Sequence, residues 1–297
     1  MGNVLSRKLA FWKKPTESIN IGIYIDSTHV WCFTKHGVEL DAPQRFTRDE
    51  GGLSIFKTIS ETYPQARLHI ILGQGCYQLL QVDKPQIDEA ELKQALIWSI
   101  KDLVSTPVTQ LHLDYFSYSI ANNNKLNVVV SEKAMLQQMV SAACEQDLTI
   151  TGISIEEIVL SNTQGEAEQA RLMLCHQEGA DLLLVVIKDG ELCLQRRIRG
   201  FHALNAMSKD DLSYGAADTL SLEIQRSMDF YESQSRQAPI NKIQLVLGER
   251  GDDLKPLLAQ NLQQPIESLN IENYSLWLAE LALEEFSQTE DTEKVNL

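Results

Sequence analysis

The chain has 297 residues with 26 basic and 41 acidic side chains, a formal charge of −15. That is long enough for two lobes, and it argues against nucleic-acid binding, which needs a basic surface to meet phosphates. Hydrophobic residues make up 43%, as in an ordinary globular protein, but no run approaches the roughly 18 apolar residues of a membrane helix.

Residues 1–18 form a basic amphipathic segment, with Leu5, Leu9, Phe11 and Trp12 interleaved among Arg7, Lys8, Lys13 and Lys14. Its apolar stretch is too short for the core of a signal peptide, so the protein is expected to stay in the cytosol. Each cation near an anionic bilayer contributes up to about 1 kcal/mol. That allows weak surface contact, opposed by the acidic body, but not anchoring.

A first lobe is expected over 19–76. Strands at 21–26 and 29–34 flank a tight turn at Ser27-Thr28, and the turn Lys35-His36-Gly37 opens a third strand at 38–46. A helix at 51–63 and a strand at 68–72 ending in Gly73 follow. An inserted βαββαβ, ferredoxin-like subdomain is expected over 77–153. Its strands are 77–82, 111–120, 126–130 and 148–151, and its helices 88–103 and 132–146, with a turn at Asn122-Asn123-Asn124. The apolar stripe Leu92, Leu96, Ile100, Leu103 marks the first of those helices.

The meander–helix–strand plan then returns in a second lobe over 154–286. Its strands are 171–176, 181–187 and 191–198, the last opened by Lys188-Asp189-Gly190, where glycine supplies positive φ. Leu212, Ala216, Leu220, Ile224, Met228 and Tyr231 put one apolar stripe on a helix over 210–234. A strand at 243–247 ends in Gly248, and an acidic, unstructured tail is expected over 287–297.

A duplicated meander–helix–strand fold with an insert in the first lobe resembles the actin, Hsp70 and sugar-kinase superfamily, in its bacterial branch of FtsA and PilM. The stretch Glu223-Ile224-Gln225-Arg226-Ser227-Met228-Asp229-Phe230-Tyr231 is similar to the long-helix signature of PilM proteins, and the likeness runs across nearly the whole chain. The resemblance implies an α/β, duplicated actin/ribonuclease H-like fold in two lobes. It also implies a cytoplasmic protein that grips a cytoplasmic peptide of a PilN-like inner-membrane partner. In a bacterial chain the myristoylation-like start Met1-Gly2 through Ser6 has no enzyme to read it.

The same resemblance implies a nucleotide cleft, and its candidate residues are Asp26, Ser27, Thr28, Glu223, Arg226 and Gly248. The first phosphate hairpin keeps Asp26 but offers Ser27-Thr28 where the family has glycine close behind. The second reads His176-Gln177-Glu178 in place of Asp-x-Gly. A Glu facing phosphate at about 4 Å is repelled by about 4 kcal/mol at a surface-like dielectric, near a thousandfold in affinity. The adenosine loop Leu247-Gly248-Glu249 lacks adjacent glycines. The expectation is a degenerate site with no catalytic residue and at most weak ATP binding. An active actin-fold ATPase or small-molecule kinase is the alternative, and a polymer-forming relative the third.

No metal ligand set is expected, because five cysteines lack a CxxC pair and six histidines lack HxxxH or HExxH spacing. Among the cysteines, Cys76, behind Gly73-Gln74-Gly75, is expected to be the most exposed.

Overall fold

The structure, a computed structural model, describes residues 19–36, 39–40, 44–47, 53–117, 124–163, 169–235 and 238–295. The N-terminal segment 1–18, the turn at Gly37 and the turn at Asn122-Asn123 lie outside the described residues.

Two sheets repeat one topology. In the first, β1 (Asn20–Ile25) and β2 (His29–His36) run antiparallel, and β3 (Glu39–Leu40) and β4 (Gln44–Thr47) both pair with β2. After α1 (Leu53–Thr62), β5 (Arg67–Leu72) lies parallel to β1, and β9 (Thr149–Ile155) lies parallel to β5. In the second, β10 (Arg171–Cys175), β11 (Leu182–Lys188) and β12 (Glu191–Ile198) form the antiparallel meander. There β13 (Lys242–Val246) and β14 (Ile266–Ser268) add in parallel, for the order β12-β11-β10-β13-β14. This is the duplicated actin/ribonuclease H-like plan. The turn before β12 has positive φ at Asp189 and Gly190, 54° and 73°, the pair of values a two-residue hairpin needs.

Side-chain alternation explains why β10 and β11 are apolar throughout. Leu172, Leu174, Leu184 and Val186 enter a core shared with α6 (Ala217–Ser235) and α7 (Glu249–Leu258). Met173, Cys175, Leu183, Val185 and Ile187 enter a second core on the opposite face. A strand covered on both sides reads as an unbroken apolar run. That second core also holds Tyr24, Phe33 and Ile71 of the first sheet, with Val159 and Leu160 of α4 (Glu156–Asn162) and Leu278, Ala279 and Ala282 of α8 (Tyr274–Val295). Helices α4 and α8 therefore lie between the two sheets and join them into one body.

Several expectations are corrected. The unit over 77–153 is not a four-stranded ferredoxin-like fold. Only β6 (Gln78–Asp83), β7 (Leu111–Ser117) and β8 (Lys125–Glu132) form its sheet, in the order β6-β8-β7, covered by α2 (Glu89–Ile100). Helix α3 (Lys133–Glu145) packs on α1, and β9 pairs with β5, because Met139, Ala142, Ala143 and Ile155 complete the core of the first sheet. Helix α2 stops at Ile100, so Leu103 falls off the buried stripe and is 53% exposed.

The helix expected over 210–234 is broken. Its stripe residues Leu220, Ile224, Met228 and Tyr231 are buried on α6, but Tyr214 and Gly215 leave helical geometry, with φ of 114° at Gly215. The expected acidic tail is helical as far as Val295 in α8; its Gln288, Glu290, Glu293 and Lys294 are good helix formers. Cys76 is buried and Cys144 exposed, the reverse of the expectation, because the Gly73–Cys76 turn folds under β1 and brings Cys76 Sγ to the Ile25 carbonyl at 3.5 Å.

Candidate functional site

Strands β1 and β10 both end in hairpin turns that point toward each other, as the duplicated topology requires. Asp26 closes the first. Its Oδ1 accepts the Thr28 N–H at 2.6 Å, the Thr28 hydroxyl at 2.8 Å and the His29 N–H at 2.7 Å. A carboxylate used this way holds its own turn in shape. Ser27 is exposed, and its N–H donates to the Gln74 carbonyl at 3.2 Å.

The second hairpin reaches across. Gln177 Nε2 donates to Asp26 Oδ2, and its Oε1 lies 2.7 Å from the Tyr24 hydroxyl. Gln74 Oε1 accepts the Asp181 N–H at 3.1 Å, a second tie between the loops. His176 is buried, and its Nδ1 lies 3.2 Å from Asn205 Oδ1, the geometry of an imidazole N–H donating to a carbonyl. Burial pushes its pKa below the ordinary 6.5, favouring neutral imidazole. Glu178 is exposed at the tip of this turn. Gly248 caps α7 with φ 56° and ψ −142°, a conformation open to glycine and strained for other residues.

Glu223 and Arg226 form a separate cluster. Arg226 Nη1 donates to Glu223 Oε1 at 2.6 Å, and Arg196 Nη2 of β12 donates to Glu223 Oε2 at 2.5 Å. The structure thus brings Asp26, Ser27 and Thr28 together with the second hairpin, while Glu223 and Arg226 stand beside the edge strand β12.

A buried ionic network lies behind the first hairpin. Glu156 and Glu157 open α4, each about 1% exposed, and both face Arg197 of β12. Arg197 Nη2 donates to Glu156 Oε2, lies 3.5 Å from Glu157 Oε1 and also donates to the Tyr77 hydroxyl at 3.3 Å. Tyr77 in turn donates to Glu157, and Tyr24 to Glu156. Burial, with Glu156 nearby, raises the Glu157 carboxyl pKa against the pull of Arg197. Tyr24 and Tyr77 are raised by burial first and by the neighbouring glutamates second, so both stay protonated donors.

Sequence reasoning missed this network. Its signal was present: Glu156-Glu157 inside the apolar run Ile153 to Leu160, and Arg196-Arg197 inside a strand. A charged residue in an apolar run announces a buried partner. Strand alternation then separates the arginines, sending Arg197 to the glutamates between the sheets and Arg196 to Glu223 on α6.

No family model matches the chain, and no curated protein matches it. Solved structures do. One is a PilM–PilN type IV pilus biogenesis complex, with a TM-score of 0.62, 14% identity, and coverage of 91% of this chain and 99% of that one. The cytoplasmic domain of EpsL, an inner-membrane component of the type II secretion system of Vibrio cholerae, matches with a TM-score of 0.54 and 14% identity, covering 90% and 95%. A Bacteroides thetaiotaomicron protein with an actin-like ATPase fold and unknown function matches with a TM-score of 0.53 and 12% identity, covering 90% and 96%. At such identities the likeness establishes the actin-like fold. Among the described residues no helix is long and apolar enough to cross a membrane.

Proposed function

We propose that this chain is an actin-fold scaffold of a type IV pilus assembly platform. In this reading it binds the cytoplasmic peptide of a PilN-like inner-membrane protein and does not turn over ATP. The observation that carries the reading is the Gln177 amide seated between the two hairpins and donating to Asp26. A magnesium-bound triphosphate needs that carboxylate, a second acid and free backbone N–H groups in the same place. Asp26 Oδ1 already serves its own turn, and a buried His176 stands where the second acid belongs. The Ser27 and Asp181 N–H groups are both taken by Gln74. These residues do not fit the metal–triphosphate group.

The fold likeness to a PilM–PilN complex and the PilM-like signature on α6 support the scaffold half of the reading. Within that class the chain reads as of the MshI kind, serving an MSHA-type pilus and held at the cytoplasmic face of the inner membrane through its partner. Calorimetry on the purified protein tests both halves. The synthetic cytoplasmic peptide of the PilN-like partner is expected to bind saturably, and Mg²⁺-ATP to give no saturable heat up to millimolar concentration. Micromolar ATP binding abolished by Asp26→Ala would establish the ATPase or kinase reading instead. A peptide that does not bind removes the scaffold assignment.

A further inference from the structure

Strands β6 and β8 face β12 and α6 across a pocket of about 400 Å³. Leu192, Leu194 and Phe230 give it apolar walls, and Arg196, Arg226 and Asn127 give it polar groups. The chain carries 41 acidic residues, yet none of the residues lining this pocket is acidic. Glu223 holds both guanidiniums, so two cations share one carboxylate. Lys125 adds a third cation nearby, its Nζ donating to Gln81 Oε1 of the pocket wall at 3.1 Å.

Asn127 supplies an independent observation. It is 3% exposed, and its Nδ2 is buried with no hydrogen-bond partner among the described residues. A buried amide donor is ordinarily satisfied. The wall also carries the amides of Gln81 and Gln195 and the Ser227 hydroxyl, but its charged groups are two guanidiniums, and its buried unsatisfied group, the Asn127 amide nitrogen, is a donor. What the pocket lacks is an anionic acceptor attached to an apolar body.

The size of that body follows from α6. Leu222 and Phe230 flank Arg226 one turn to either side, at 59% and 49% exposure. The apolar stripe therefore continues beyond the pocket, farther than a small carboxylate would reach. An exposed arginine between apolar and aromatic side chains is the composition of a protein-binding hot spot.

We infer that this pocket and the adjoining face of α6 are a docking site for a short peptide segment of a protein partner, one that carries an acidic side chain between apolar residues. The carboxylate meets Arg226 and Arg196, its second oxygen takes the Asn127 amide, and the apolar neighbours cover Phe230 and Leu222. The inference stands apart from the pilus reading, since it needs neither the PilN-like partner nor any particular fate for a nucleotide.

Fluorescein-labelled synthetic octapeptides of Leu and Phe around a central Asp or Glu, titrated by anisotropy against the full chain, test it. The acidic peptides are expected to bind saturably, more weakly as salt rises, and at least tenfold more tightly than their Asn or Gln counterparts. Arg226, with its side chain 66% exposed, tolerates reversal without unfolding, which a circular-dichroism melt checks. Arg226→Glu should lower the affinity at least tenfold, and Asn127→Leu should lower it as well. Equal binding of the amide peptides, undiminished binding to Arg226→Glu, or no saturable binding at all overturns the inference. So does displacement by hexanoate or ATP at concentrations comparable to the peptide's own, which would make the pocket a small-ligand site.

Discussion

Arg197 faces more negative charge than one guanidinium neutralises, because Glu156 and Glu157 both turn toward it in a buried space. Removing one partner of a buried pair costs about 3–5 kcal/mol, whereas replacing the whole set by neutral groups is often tolerated. Arg197→Met is therefore expected to lower stability by about that amount in urea unfolding at pH 7. Adding Glu156→Gln and Glu157→Gln to it should recover most of the loss. The pH dependence has a definite sign. The Glu157 carboxyl is raised above its ordinary 4.5, so the folded state holds that proton more tightly than the unfolded chain. The stability this contributes is complete below 4.5 and is lost as pH rises through the raised value. Glu157→Gln should flatten the stability profile across that window, and a wild-type profile with no such slope would contradict the assignment.

At the scale of single elements, α2 separates pattern from placement. Leu92, Leu96 and Ile100 repeat every four residues and are buried against Val82, Leu113 and Val128. Leu103, three residues further on, extends the helical stripe but is exposed, because the helix ends at Ile100 and the pattern outlasts the hydrogen bonds. Leu96→Ala is expected to cost about 2–5 kcal/mol, and Leu103→Ser to change stability by no more than about 0.5 kcal/mol. Paired denaturant titrations of the two variants would show the difference directly. Helix α6 makes the same point with a break instead of an end. Its stripe was readable from Leu220 to Tyr231, but the turn before it bends at Gly215, where positive φ shifts the register so that Ala217 is buried and Ala216 only partly so.

Across the whole molecule, α8 decides that the two sheets act together. It lies on β1 so closely that a Cβ added at Gly22 would stand 1.8 Å from the Ala279 carbonyl oxygen. Gly22→Ala must push the helix off the first sheet, and overpacking of this kind costs about 1–3 kcal/mol, occasionally more. Thermal unfolding of that variant is expected to remain a single transition at lower temperature, since α8 and the core between the sheets belong to both. Two separated transitions would show that the lobes fold independently. The duplicated meanders, the turns at Ser27-Thr28 and Asp189-Gly190 and the apolar runs of β10 and β11 were legible in the amino-acid order, because strand alternation, turn glycines and helix periodicity are local properties that neighbouring residues impose on one another. The partner of β9, the closure of Asp26 by Gln177 and the pairing of Arg197 with Glu156 and Glu157 were not. Each joins residues tens to more than a hundred positions apart, and such contacts are selected only when whole elements compete for the same buried space.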